Sequence, residues 1–258
     1  MSAGVPDQFF GRSVFISGGS SGVGATLGHL LAGYGARVAL FARTRDRLDS
    51  VVDKIAAAGG TALAIAGDVR RSGDVDAAVT AAIDRFGRID LAVACAGIGD
   101  RRRLEELDDA NWNAYIDTNL TGAFWVCRAA GLHMRDKGGG LIITVASGLG
   151  LVGMAGQVAY CASKGGMVLM TKALAAELAP TVRVNCLAPG GIETPMTDSD
   201  FAVTDDPAEA RRRALQRVPL GRFATSEEVA RAIAWMASDG FSYATGSIVS
   251  MDGGTTAV

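Results

Sequence analysis

Seven short apolar runs, each followed by a longer segment with helical periodicity, constrain this chain more than any other feature. The runs are "RSVFIS" at 12–17, "ARVALFA" at 36–42, "TALAIAG" at 61–67, "IDLAVACA" at 89–96, "GLIITVAS" at 140–147, "VRVNCLA" at 182–188 and "GSIVSM" at 246–251. Their near-continuous Val, Ile, Leu and Ala content suits strands covered on both faces. Amphipathic segments lie between them at 23–34, 44–58, 72–86, 109–137, 158–179 and 226–238, with Ser72, Asp108 and Thr225 at helix entries and Glu228 three residues after Thr225. Strict alternation implies right-handed crossovers. The expected fold is therefore α/β, a doubly wound Rossmann fold whose seven-stranded, mostly parallel sheet carries helices on both faces.

One stretch breaks the alternation. Residues 190–223 hold no strand run but three of the six prolines, and read as a substrate lid with a helix beginning near Pro207. Its Met196, Phe201 and Val203 point to an apolar substrate body. The whole chain, 1–258 and 49% hydrophobic, is expected to be one catalytic domain around one core.

A net charge of −2 gives no electrostatic reason to expect nucleic acid or an anionic membrane as partner. The first residues lack the basic-then-apolar run of a secretion signal, and no apolar stretch reaches about 18 residues, so a soluble, cytoplasmic protein is expected. Cys95, Cys127, Cys161 and Cys186 are too scattered for a zinc site or a disulfide framework, so no metal is expected.

The first strand ends in "SGGSSGVG", which places Gly18, Gly22 and Gly24 between strand and helix. Glycines there let the backbone approach a diphosphate, whose charge the free N–H groups of a helix N-terminus favour. Ser17, Ser20 and Ser21 add hydroxyls, and Val23 belongs to the same turn. At the end of the second strand, Ala42 stands where an acidic residue would bind the ribose 2′-OH of NAD, and Arg43 follows it. That order favours NADP(H) over NAD(H), with Arg43 on the 2′-phosphate. Asp68 after the third strand could accept from the adenine amino group while Val69 covers the ring, and Ala96 and Gly97 form a small-residue passage after the fourth.

Tyr160 lies four residues before Lys164 in "YCASK", which puts both on one helix face. There the lysine ammonium can lower the phenol's pKa and bind the nicotinamide ribose, making Tyr160 a general acid/base. Ser147 ends the fifth strand, at the sheet edge where doubly wound folds bind ligands, and Asn119 in "DTNLTGAF" is a mid-helix asparagine that needs a local or functional partner.

With these residues in order, the chain resembles a short-chain dehydrogenase/reductase of the single-domain type, similar to 3-oxoacyl-acyl-carrier-protein reductases and related ketoreductases. The resemblance runs through "SGGSSGVG", "GDV", "CAG", "NLTGAF", "VAS", "YCASK", "VRVNCLAPGGIET" and "SMDGG". It implies a tetrad in which Ser147 positions the carbonyl, Tyr160 passes the proton, Lys164 serves Tyr160 and the ribose, and Asn119 holds a proton-relaying water. It also implies that Pro189, Gly190, Ile192 and Thr194 wrap the nicotinamide. Two departures stand out: Ser17 in place of Thr, and Ala94-Cys95 in place of an Asn-Asn pair that ties neighbouring strands together.

These readings imply an NADP(H)-dependent carbonyl reductase or alcohol dehydrogenase acting on a ketone, a secondary alcohol or a 3-oxoacyl thioester. The alternative is a catalytically silent NADP(H)-binding regulator or scaffold. Arg101, Arg102 and Arg103 could steer an anionic acyl carrier or simply face solvent, and no basic residue at Pro180 or Thr181 assists a carrier. The helix at 158–179 is apolar around much of its circumference, which suggests burial against another subunit. The resemblance makes that a homotetramer or homodimer built on this helix and the one at 109–137, with the C-terminal strand and tail forming a second interface.

Overall fold

The computed structural model describes residues 4–202 and 204–257, so Val203 lies outside the described residues. Its strands are β1 (Ser13–Ser17), β2 (Arg37–Ala42), β3 (Thr61–Ala66), β4 (Leu91–Ala94), β5 (Gly140–Val145), β6 (Val182–Pro189), β7 (Ile192–Glu193), β8 (Ala224–Thr225) and β9 (Ile248–Met251). The helices are α1 (Gly22–Gly33), α2 (Arg45–Ala57), α3 (Ser72–Phe86), α4 (Asp109–Tyr115), α5 (Gly122–Asp136), α6 (Val158–Leu178), α7 (Pro195–Ala202), α8 (Pro207–Gln216) and α9 (Ser226–Met236).

Seven strands pair in the order β3-β2-β1-β4-β5-β6-β9, and every pairing is parallel. The expected "mostly parallel" sheet is thus wholly parallel. Val14 sits between Val38 of β2 and Leu91 of β4. The chain winds outward from β1 to β3 and then returns to β4 beside β1, which opens a crevice at the carboxyl ends of those two strands. Alternate strand residues fill two cores: Phe15, Phe41 and Ile142 pack on α3, α5 and α6, while Ile16, Leu40 and Ile143 pack on α1, α2 and α9. Burial on both faces of the inner strands explains why their runs show no polar alternation, while the edge strands β3 and β9 are only partly buried.

The elements differ from the sequence expectation in instructive places. The helix expected over 109–137 is broken by a π-helical turn, Ile116–Thr121. Ser72 does not cap α3: it is the first helical residue, and Arg71 precedes it without a side-chain cap. Asp108 does cap α4, accepting from Asn111 N, and Thr225 forms a reciprocal capping box with Glu228 on α9. β4 is shorter than expected because its flanks bond sideways. The Asp90 carboxylate accepts from Ser13 N at 2.8 Å, and Ser17 Oγ accepts from the N–H groups of Cys95 (3.2 Å) and Ala96 (3.3 Å). The Ser17 hydroxyl thereby supplies a tie between strand ends that Ala94-Cys95 cannot make.

The 190–223 stretch contains α7, α8 and β7, which pairs with β8 just beyond it. The helix expected near Pro207 is α8, capped by Asp206 accepting from Glu209 N. No helix among the described residues is long and apolar enough to cross a membrane.

Candidate active site

The crevice at the switch point opens into a cleft of about 300 Å³ that runs along the carboxyl ends of the strands. At one end stands the β1–α1 turn. Gly18 adopts φ +76 and its N–H donates to Phe41 O at 2.8 Å, so the turn folds back on β2. A Cβ on Gly24 would lie 2.3 Å from Gly18 O, so only glycine lets α1 begin so close under the turn. Ser21, at the N-cap of α1, makes no side-chain cap bond, and the first turn holds no acidic residue. The N-terminal N–H groups of α1 thus face the cleft without a carboxylate of their own, which is the electrostatics that favours a diphosphate. Gly18, Ser20, Ser21, Gly22, Val23 and Gly24 all line the cleft, and these residues fit a dinucleotide.

Ala42 and Arg43 line the neighbouring wall with Thr44 and Arg47. Arg45 is taken by Asp49 at 2.8 Å, whereas Arg43 makes no ion pair among the described residues and remains exposed. Asp68 and Val69 follow on the same wall. Arg70, 2.5 Å from Asp68, holds the Asp68 carboxyl below the usual carboxylate range, with Arg43 adding a smaller pull. Part of Asp68's accepting capacity is thus already used within its own turn. Ala96, Gly97, Pro189, Gly190, Ile192 and Thr194 line the continuation of the cleft toward Tyr160.

The tyrosine end is assembled from three elements. Ser147 follows β5 in extended backbone, and its Oγ accepts from Leu149 N at 3.1 Å. Tyr160 and Lys164 come from the first turns of α6, and all three side chains line the cleft. Lys164 is buried, and its ammonium donates to Val145 O at 2.9 Å, 5.8 Å from the Tyr160 ring centroid. Burial pushes the lysine down to about 8. Burial likewise pushes the Tyr160 phenol up to about 12, against the pull of the Ser147 hydroxyl. The helix spacing suggested that Lys164 lowers the phenol's pKa; in this structure desolvation is the largest influence on Tyr160 and pushes it up, and the ammonium bonds the carbonyl of Val145.

Asn119 sits in the π-helical turn, fully buried, and does not line the cleft. Its Oδ1 accepts from Ile98 N at 2.8 Å, and its Nδ2 donates to Ile98 O at 3.0 Å and to Ser163 Oγ at 3.1 Å. The extra residue of the π turn aims the amide at the loop after β4 and ties that loop to α6. A Cβ on Gly97 would meet Asn119 Oδ1 at 3.3 Å and Lys164 Nζ at 3.5 Å, so amide and ammonium flank the same bare α-carbon.

Residues that sequence reasoning missed also shape this end. Gly67, Ile98, Thr118, Val145 and Ala146 line the cleft as immediate neighbours of the motif residues. Tyr115 lies edge-on to Tyr160 with ring centroids 6.4 Å apart, and its hydroxyl bonds Asp100 through backbone and carboxylate. Tyr115 precedes Asn119 by four residues, a signal that the straight-helix reading had no reason to weigh. From the lid, Met196 reaches the cleft, but Phe201 stacks on Phe223 at 6.1 Å under Arg211 and anchors α7 instead. Of the basic cluster, Arg102 pairs with Asp100 at 2.7 Å, while Arg101 rests on Met154 Sδ. All four cysteines are free thiols, and among the described residues no group of His, Cys, Asp and Glu could hold a metal ion.

A family model described as Enoyl-(Acyl carrier protein) reductase matches residues 18–256. The chain is 39% identical over 254 residues to the cis-4-hydroxycyclohexanecarboxylate dehydrogenase of Sinomonas cyclohexanicum, covering 98% of this chain and 99% of that one. To the 3-oxoacyl-(acyl-carrier-protein) reductase FabG of Thermotoga maritima it is 38% identical over 245 residues, covering 95% and 97%. The crystal structure of levodione reductase superposes with a TM-score of 0.93 at 32% identity, over 97% of this chain and 99% of that one.

Proposed function

Because the chain belongs to the short-chain dehydrogenase/reductase family of nicotinamide-dependent oxidoreductases, we propose that it interconverts a ketone and a secondary alcohol with NADP(H), using Tyr160 as general acid/base. The observation that carries this reading is the convergence of Ser147, Tyr160 and Lys164 on one cleft whose other end is a carboxylate-free phosphate turn.

A bound nicotinamide supplies or receives the hydride. In ketone reduction the Ser147 hydroxyl holds the substrate oxygen, and the Tyr160 phenol gives that oxygen its proton. With its proton held up to about 12, the phenol is fully protonated at neutral pH, the form that reduction requires. Lys164 replenishes the proton and is placed to bind the ribose. Asn119 acts as a positioning residue that fixes the loop carrying Gly97 and Ile98 against α6. The backbone of Gly18 to Gly24 holds the diphosphate, Val69 and Asp68 take the adenine, and Pro189, Gly190, Ile192 and Thr194 enclose the nicotinamide. Arg43, which makes no ion pair among the described residues and stands beside a neutral Ala42, supports NADP(H) over NAD(H).

We read the whole chain as one catalytic domain acting in the cytoplasm, with 190–223 as its lid. The exposed apolar side chains Trp112, Phe124, Val158 and Leu169 on α4, α5 and α6 support a homodimer or homotetramer. The experiment that tests cofactor choice is a pair of affinities. NADPH binds the native protein more tightly than NADH, and Arg43→Ala weakens NADPH by about 10- to 100-fold while moving NADH little. Equal affinities that Arg43→Ala leaves in place contradict the 2′-phosphate role.

A further inference from the structure

The lid carries a carboxylate that nothing so far explains. α7 hangs over the tyrosine end of the cleft. Met196 on this helix lines the cleft, and its Sδ and the Tyr160 ring both lie about 3.3 Å from where a Cβ on Gly99 would stand. Asp200 follows Met196 by four residues, on the same face of the helix. Its Oδ1 is buried and has no hydrogen-bond partner among the described residues. Its charge is near enough to act on the Tyr160 phenol and to feel Asp100 and Arg101.

Neighbouring charged groups are accounted for in other ways. Asp198, the other aspartate of α7, is exposed and pairs with Arg211 at 3.7 Å. Asp100 is engaged by Tyr115 and by Arg102 at 2.7 Å. Arg101 gives Asp200 no ion pair within 4 Å, and one of its nitrogens rests instead on Met154 Sδ at 3.3 Å. A buried polar atom without a partner is uncommon and costly in a folded protein, and most are explained by a ligand, a solvent molecule or function. This one lies one turn along α7 from Met196, the lid residue that lines the cleft beside Tyr160, although Asp200 is not itself one of the lining residues.

We propose that Asp200 is a specificity-determining residue that receives a hydrogen-bond donor of the substrate, so that this enzyme acts on ketones bearing a hydroxyl or amino group a few bonds from the carbonyl. The inference rests on the oxidoreductase reading of the same site. Met196 covers the apolar part of such a substrate, Ser147 and Tyr160 hold its carbonyl oxygen, and Asp200 takes its second polar group. Burial and Asp100 push the Asp200 carboxyl up to about 6, with Arg101 pulling it down, the state of an acid that lacks a donor. Sites built to bond a substrate's polar group reject the analogue without it, because the protein group is then left unpaired.

The test compares cyclohexanone, 4-hydroxycyclohexanone and 4-aminocyclohexanone as substrates for the native protein, Asp200→Ala and Asp200→Asn, each with NADPH and NADH. In the native protein kcat/KM for the donor-bearing ketones exceeds that for cyclohexanone by about tenfold or more, and in Asp200→Ala the ratios fall to near one. Asp200→Asn keeps an acceptor without the charge, so it retains part of the hydroxyl preference and loses the amino preference. For the amino ketone the native preference also fades as the pH falls below about 6, where Asp200 takes up its own proton. Ratios that Asp200→Ala does not change overturn this inference and leave the oxidoreductase reading standing. Reduction of none of the three ketones counts against the oxidoreductase reading, and calorimetric binding of the same three to the NADP-loaded protein then decides the inference: equal affinity for all three overturns it.

Discussion

Asn119 shows how much one side chain can hold in this site. Its buried amide satisfies both backbone groups of Ile98, at the wall of the cleft, and also reaches the buried Ser163. Asn119→Ala would strip both backbone groups of Ile98 of their partner and leave Ser163 only its bond to Tyr160 O, at about 2–4 kcal/mol. For a chain of this size that lowers the melting temperature by roughly 5–15 °C, which differential scanning calorimetry reads directly. An unchanged melting temperature would mean that the amide serves only proton relay. The sequence made Asn119 conspicuous because an asparagine inside a helix is locally unfavourable. The π turn that resolves the conflict was not legible, since it arises from the loop after β4 and from Ser163, 44 positions further along. The Tyr160 phenol gives the same lesson: spacing revealed its partner Lys164, but the sign of its pKa shift is set first by burial, with the charges of residues distant in sequence such as Asp200 adding to it.

At the scale of elements, the βα alternation was legible throughout because a parallel sheet buried on both faces leaves unbroken apolar runs. The lid was legible only as an interruption. Phe201, which composition alone assigns to a substrate body, packs inward because Phe223 and Arg211 offer it a stack, and no local pattern in α7 announces that choice. α6 presents a second case. Its inner face buries Met167, Val168 and Thr171 against the sheet and α5, yet Leu169 stands 68% exposed on the outside. Together with the half-exposed Val158, it supports the proposed interface between like subunits on this helix. Leu169→Glu places a charge on each side of such a two-fold contact, and sedimentation velocity should then show a smaller species than the native protein forms. A native protein already monomeric at micromolar concentration would contradict the assembly.

For the molecule as a whole, the topology fixes where chemistry can happen. Reversal of the winding direction between β1 and β4 creates the crevice, β1 and β2 deliver the phosphate turn and Arg43 to one end of it, and β5 and α6 deliver Ser147, Tyr160 and Lys164 to the other. In the proposed reaction the two ends of the cleft therefore do different work: one anchors the cofactor's phosphates, and the other handles hydride and proton together at a single carbonyl. In the proposed reaction the proton passes through Tyr160, and the decisive quantity is the single-turnover rate of ketone reduction by Tyr160→Phe saturated with NADPH. That rate falls by about 100-fold or more with NADPH affinity within a few-fold of native; a rate within tenfold of native rules Tyr160 out as the proton donor.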